Sequence, residues 1–233
     1  MKNLSEYINE AISDKNMHLD SITPDIDGTE NQYDYVDLGL PSGTMWATCN
    51  VGADKQEDEG LLFQFGRIDG YKYGDTNTKF RTKDQNLEDT GSKYIPLTTS
   101  GKVYRKNKIL YLDDDAAHIN MGGKWRMPTK NEIQDLLDNT RHEVANVNGV
   151  KGMLFMSNIN EHKLFIPFMQ GPWIFGNWEN DDKYTYAVLL SSQVHRRNLN
   201  YAYSLDCDHH GDGFLCEYHP RAFAFTIRGV FKK

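Results

Sequence analysis

The chain has 233 residues, a net charge of −7 and a pI near 5.6, which fits one large domain or one domain with an appendage. A domain of about 200 residues hides roughly 70% of its unfolded surface and needs no covalent staples, and Cys49, Cys207 and Cys216 are too few and odd in number for a disulfide framework. The acidic balance argues against nucleic acid or an anionic membrane as partner, and no stretch approaches the ~20 apolar residues of a membrane span.

Residues 3–13 carry Leu4, Tyr7, Ile8, Ala11 and Ile12 on one helical face, with Asn3 and Glu6 spaced as a cap. A helix this short is marginal alone, so Leu4, Tyr7, Ile8 and Ile12 are expected to anchor it, either on its own domain or on a partner. Glu6, Glu10 and Asp14 interrupt what a signal peptide would need as an apolar run. Residues 14–32 are polar, with Pro24 and Gly28, and read as a linker. The domain division expected is therefore 1–32, helix and linker, and 33–233, the folded domain.

Residues 35–40 and 44–49 flank Pro41-Ser42-Gly43 as strand, turn and strand. Residues 61–65 form a further apolar run, and residues 69–108 read as a long loop region. Residues 113–137 hold the densest local instruction. Asp113, Asp114 and Asp115 precede Ala116 and Ala117, and His118 follows, the charge order that suits a helix dipole. Gly122-Gly123 then leads Trp125 into the interior. Thr129 and Glu132 have capping-box spacing, and Ile133, Leu136 and Leu137 supply one apolar stripe. Residues 150–156 and 163–169 predict a second hairpin around 158–161, with Pro167 at an edge or bulge, and residues 184–190 a further strand. In the last segment Phe223, Phe225, Ile227 and Phe231 share one phase and Ala222, Ala224 and Thr226 the other, as in a central strand packed on both faces.

The block DDAAHxNxGGxWRMPTxxE at residues 114–132, YVDLGLPSGTMWATCNVGA at 35–53 and the closing AFAFTIRGVF at 222–231 resemble the Fibrobacter succinogenes major paralogous domain family, common in gut and rumen bacteria and their phages. Phe65-Gly66-Arg67 departs from that family's aromatic-Trp-Gly-Glu pattern. The resemblance implies an α+β, C-type-lectin-like fold with short antiparallel strands, few helices and long loops. That scaffold is shared with formylglycine-generating enzymes and with receptor-binding proteins varied by diversity-generating retroelements, so fold alone does not give function.

Residues 176–220 are the functional candidate. Nearly half are Asn, Asp, Tyr, His or Ser, and interleaved tyrosines suit a binding surface. With Trp173 just upstream, the expected ligand contacts are Trp173, Trp178, Tyr184, Tyr201, Tyr203, His209, His210 and Tyr218. Asp206, Asp208, Asp212 and Glu217 follow the EF-hand loop spacing in part, with Gly211 at its glycine position but His210 where an oxygen ligand belongs, so calcium is one expectation. Cys207, His209, His210 and Cys216 offer a zinc alternative of nonstandard spacing, and Cys207 with Cys216 could close a loop. No nucleophile elbow, P-loop or zinc-protease motif is present.

The expectation is a non-enzymatic binding or display module, a phage virion surface or fibre component recognising a host-surface glycan or protein. The N-terminal helix would contact other virion proteins, a homo-oligomer would form, and no cofactor other than calcium is implied. A bacterial cell-surface adhesin is the alternative, and a polysaccharide-acting enzyme the third reading.

Overall fold

The computed structural model describes residues 24–72, 103, 106–169, 186–221 and 223–233. Within them the protein is a mixed α+β fold of mostly antiparallel sheets and two short α-helices. None of these helices is long and apolar enough to cross a membrane. The N-terminal helix expected over residues 3–13, with Leu4, Tyr7, Ile8 and Ile12, lies outside the described residues, as does most of the 69–108 region.

Strands β1 (Gly28–Glu30), β2 (Tyr33–Asp37), β3 (Thr44–Asn50) and β12 (Arg228–Lys232) form one four-stranded sheet in that order. The β2–β3 turn follows the Pro41-Ser42-Gly43 signal, with the Gly43 N–H donating to the Leu40 carbonyl at 2.8 Å. β1 corrects the linker reading for its described part. Its residues pair with β2, and just beyond them Asn31 donates to the Met121 carbonyl at 2.5 Å. Composition misled here because the strand is only three residues long and its side chains are polar.

The central block folds as its local signals predict. A 3-10 turn at Leu112–Asp114 leads into α1 (Ala116–Met121), whose N-cap is Asp115. Helix α2 (Lys130–Asn139) has the full capping box between Thr129 and Glu132, and Ile133 and Leu136 are buried while Leu137 is partly so. Gly122 and Gly123 take φ of +67° and +57°. A Cβ on Gly123 would come within 2.6 Å of Glu30 Oε1, so glycine lets the β1 end sit against this turn. There the Trp125 indole N–H donates to the Glu30 carbonyl at 2.7 Å, and the ring packs edge-on to Phe231.

A second sheet joins β5 (Thr140–Val147), β6 (Val150–Ser157) and β7 (Lys163–Pro167). The β6–β7 hairpin is the expected one, and Pro167 ends an edge strand. β5 was not foreseen, although Asn148 and Gly149, at φ of +51° and +86°, are the residues a tight hairpin turn demands. Strands β8 (Tyr186–Val194), β9 (Tyr201–Asp208) and β10 (Gly213–Pro220) form a third antiparallel sheet.

The closing segment is not one continuous central strand. β11 (Ala224–Phe225) pairs with β4 (Phe63–Gln64), and β12 pairs with β3 through a register shift near Arg228. The predicted phases survive the break, because Phe223, Phe225, Ile227 and Phe231 all enter one core cluster. A second cluster holds Trp46, Ile133, Leu136, Phe155 and Val230. The β8–β9 strands separate the two, giving Val188, Leu190 and Ala202 to the first and Ala187, Leu189, Leu205 and Cys207 to the second.

Arg228, fully buried at the strand break, ties sheets together. Its guanidinium donates to Asn50 Oδ1 at 2.8 Å, to the carbonyls of Ala47 and Thr48 in β3, and to the Phe165 carbonyl in β7 at 3.1 Å. Burial pulls its pKa down to about 10, which leaves it charged at neutral pH.

Candidate functional site

Residues 186–220 are a strand meander with a half-buried face: the described part of the strand expected over 184–190 lies in β8, and the residues after it, expected as polar binding loops, complete β8 and form β9 and β10. Interleaved polar residues hid the strands because β9 is buried on both sides, with its serine bonded to its aspartate and the aspartate to His219 inside the fold. Trp173, Trp178 and Tyr184 lie outside the described residues. The other predicted ligand contacts do not form one site. Tyr201, Tyr203 and Tyr218 gather near one end of the β9–β10 hairpin, while His209 and His210 stack on each other at its tip. At ~3.3 Å per residue, the length of β9 separates the two groups by roughly 20 Å. Tyr203 is also no free contact residue: it is 3% exposed.

Beside Tyr203 lies a cleft of about 360 Å³ lined by Lys106, Asn107, Lys108, Lys130, Gln193, Val194, Arg196 and Tyr203. Two backbone junctions build it. Residues 106–110 zip onto the end of β8, with Val194 N donating to the Lys108 carbonyl at 3.0 Å and Leu110 N to the Ser192 carbonyl at 2.8 Å. Gln193 adds its side-chain amide to the Asn107 carbonyl at 2.6 Å. On the other side Ser192 N donates to the Pro128 carbonyl at 2.7 Å, which brings the start of α2, and Lys130 with it, against the same strand end. Lys108 holds φ of +61°, a conformation L residues adopt rarely. Among the described residues none of the four cations has a carboxylate partner, and Lys130 instead lies 4.7 Å from the Tyr203 ring centroid. His195 continues the aromatic wall, with ring centroids 5.7 Å from Tyr203 and 5.1 Å from Tyr218. Tyr218 is 62% exposed at the rim. None of Lys106, Lys108, Lys130, Gln193, His195 and Arg196 stood out in the sequence, since they belong to three separate segments and the chain is acidic overall.

A second cluster is buried in the same sheet. Asp206 Oδ2 is 2.7 Å from His219 Nε2, and the Ser204 hydroxyl donates to Asp206 Oδ1 at 2.6 Å. The Cys216 sulfur accepts from the His219 ring. Burial opposes a charge on His219, but Asp206 and Cys216 outweigh it and raise its pKa to about 9, so the ring is an imidazolium at neutral pH. Donor atoms of Asp206, Cys216 and His219 all lie within 4.8 Å of one another.

This geometry corrects the calcium reading. Asp206–Glu217 is a β-hairpin, not a helix-flanked loop: Cys207 pairs with Gly213 and Asp206 with Phe214. Asp206 turns inward to His219, Asp208 Oδ1 accepts from the backbone N–H groups of His210 and Asp212 to shape the turn, and Glu217 faces His195 at 3.8 Å. The four carboxylates diverge. The zinc set of Cys207, His209, His210 and Cys216 fails for a related reason. Cys207 pairs across from Gly213 and Cys216 from Ser204, so the two thiols project from opposite faces of the hairpin. Both are free, and burial, with the Asp206 and Asp208 charges, pushes the Cys207 thiol well above its ordinary pKa. His219 was missed at the sequence level.

The fold thus defines a mostly antiparallel α+β protein with a cationic cleft and a buried carboxylate, thiol and imidazole cluster among the described residues. Comparison with family models, curated proteins and solved structures gives no significant match.

Proposed function

We propose that the protein is a non-enzymatic binding module of the C-type-lectin-like kind, displayed on a virion surface, and that it recognises a carboxylated or sulfated glycan of the host surface through the cationic cleft. The observation that carries this reading is the gathering of Lys106, Lys108, Lys130 and Arg196 around Tyr203 in a chain whose net charge is −7. Four like charges brought together repel one another, so the arrangement stabilises an anion more than it stabilises the fold. A cleft of about 360 Å³ accommodates one or two sugar rings. Asn107 and Gln193 supply neutral hydrogen-bonding groups, and the exposed Tyr218 ring beside His195 offers a face on which a sugar stacks.

Binding without turnover is supported by the lining itself. Among the described residues that line it there is no carboxylate, whereas glycoside hydrolysis uses a pair of Asp or Glu side chains flanking the scissile bond. The virion setting rests on the family resemblance of the 35–53 and 114–132 blocks and belongs to the same proposal.

Calorimetric titration with a polyuronate, a sulfated polysaccharide and a neutral dextran tests the site. The acidic polymers are expected to bind, with affinity falling as salt rises, and the double variant Lys130→Glu, Arg196→Glu is expected to lose at least about tenfold in affinity, or ~1.4 kcal/mol. Equal binding of dextran, or acidic-polymer binding indifferent to the double variant, would overturn it. Antibody detection of the protein on purified phage particles tests the setting, and its absence there would remove the virion part alone.

A further inference from the structure

We infer that Asp206, Cys216 and His219 form a divalent-metal site of zinc type, independent of the cationic cleft. The inference begins with the backbone. Residues 216 and 219 are three apart, and in a regular strand such residues point to opposite faces. The register shift between Cys216 and His219 changes this: Cys216 pairs with Ser204 and His219 with Ala202, two residues on the same face of β9. The extra residue of a bulge re-aims a side chain in this way. Asp206 lies on that face as well, two residues from Ser204, and its Oδ2 already meets His219 Nε2 at 2.7 Å.

The donor set has the chemistry of a zinc site. Thiolate, imidazole and carboxylate are the three ligand types zinc takes, at bond lengths of about 2.0 to 2.3 Å. Donor atoms within 4.8 Å of one another can close on a single ion with small side-chain movement. A thiolate and a carboxylate together neutralise the ion's double charge, so the bound site carries no net charge into the interior. On uptake the thiol and the imidazole each release one proton, and the ion takes the place of the hydrogen bond now joining His219 to Asp206. Soft sulfur together with imidazole disfavours magnesium and calcium, which prefer all-oxygen shells.

Two surrounding features fit the same reading. The Ser204 hydroxyl holds Asp206 Oδ1 at 2.6 Å and so orients the carboxylate from behind, as outer partners of metal ligands do. Asp206 and His219 are buried while Cys216 is partly exposed, which leaves an entry path on the sulfur side. Three protein ligands leave a fourth position for water or a ligand atom.

Cobalt(II) titration of the full chain, after chelator treatment and under reducing conditions, tests the site. The expected result is about one equivalent bound, a tetrahedral spectrum and a thiolate-to-cobalt charge-transfer band. Cys216→Ser is expected to abolish that band and Cys49→Ser to leave it intact. Zinc competition is expected to show Asp206→Asn losing more than the roughly 100-fold typical of an outer partner, and Ser204→Ala losing about tenfold to a hundredfold. Because the wild-type spectrum is read without any substitution, a variant that fails to fold does not shield the proposal. No stoichiometric uptake, or a charge-transfer band that survives Cys216→Ser, would sink it. Acidic-glycan titration of the metal-free protein separates this outcome from the fate of the cleft.

Discussion

The Lys130 ammonium stands 4.7 Å from the centroid of the Tyr203 ring. One residue is the first of helix α2 and the other lies mid-sheet in β9, so this single contact reports how the helix start is seated on the sheet. It also places a cation at the wall of the cleft, where the ring face attracts it.

Replacing Lys130 by Met keeps the aliphatic stem against Tyr203 and removes the charge. We expect Lys130→Met to weaken binding of an acidic polysaccharide by about tenfold and to flatten the salt dependence by roughly one released counterion. Its melting temperature should stay near the wild-type value, since the contact is partly exposed. An unchanged salt slope would place the bound anion elsewhere.

Glu132 predicts the acid limit of stability. Burial alone would raise its pKa, but the Arg126 guanidinium, at 2.8 and 2.5 Å, and the Thr129 N–H and hydroxyl outweigh burial and hold it at about 2 against an ordinary 4.5. A depressed folded pKa means the stabilising contribution is complete above about pH 4.5 and is lost as pH falls toward 2. The contribution at neutral pH is on the order of 3 kcal/mol. Urea unfolding followed between those pH values should show this loss in the wild type and a much flatter profile in Glu132→Gln.

Trp125 is 0% exposed, with its indole N–H spent on the Glu30 carbonyl. Trp125→Ala should cost about 3 to 5 kcal/mol, and Trp125→Phe only about 1 to 3, chiefly from an orphaned carbonyl. Equilibrium denaturation checks both. Near-wild-type stability of the alanine variant would show that β1 and the Gly122-Gly123 turn do not depend on the indole between them.

Arg228→Met should be severely destabilising, by about 3 kcal/mol or more, because it leaves the acceptors of Asn50, Ala47, Thr48 and Phe165 buried without a donor. Hydrogen exchange should show the loss at the β3–β7 contact first. A variant as stable as the wild type would mean that water replaces the guanidinium there.

Several elements were legible because their cause is local. Thr129 and Glu132 write a helix start within four residues, Pro41-Ser42-Gly43 writes a turn, and the phase of Phe223, Phe225, Ile227 and Phe231 names a core face before any partner is known. Asn148-Gly149 is equally local, but charged residues on β5 break the alternation that would mark a strand before it. The strand expected over 184–190 is found in its described part as β8, but the polar residues after it conceal β9 and β10, since composition cannot distinguish a solvated serine from one bonded to a buried carboxylate.

By itself the sequence determined the caps, the turns and the apolar phases, all set by dihedral preference and side-chain spacing over a few residues. Only the tertiary structure decided the two candidate sites. The cleft needs Lys108, Lys130 and Arg196 to meet at the end of β8 through backbone bonds between distant segments. The Asp206, Cys216 and His219 cluster needs a one-residue shift in strand register, and register is settled by what both faces of a strand must bury, not by the strand alone.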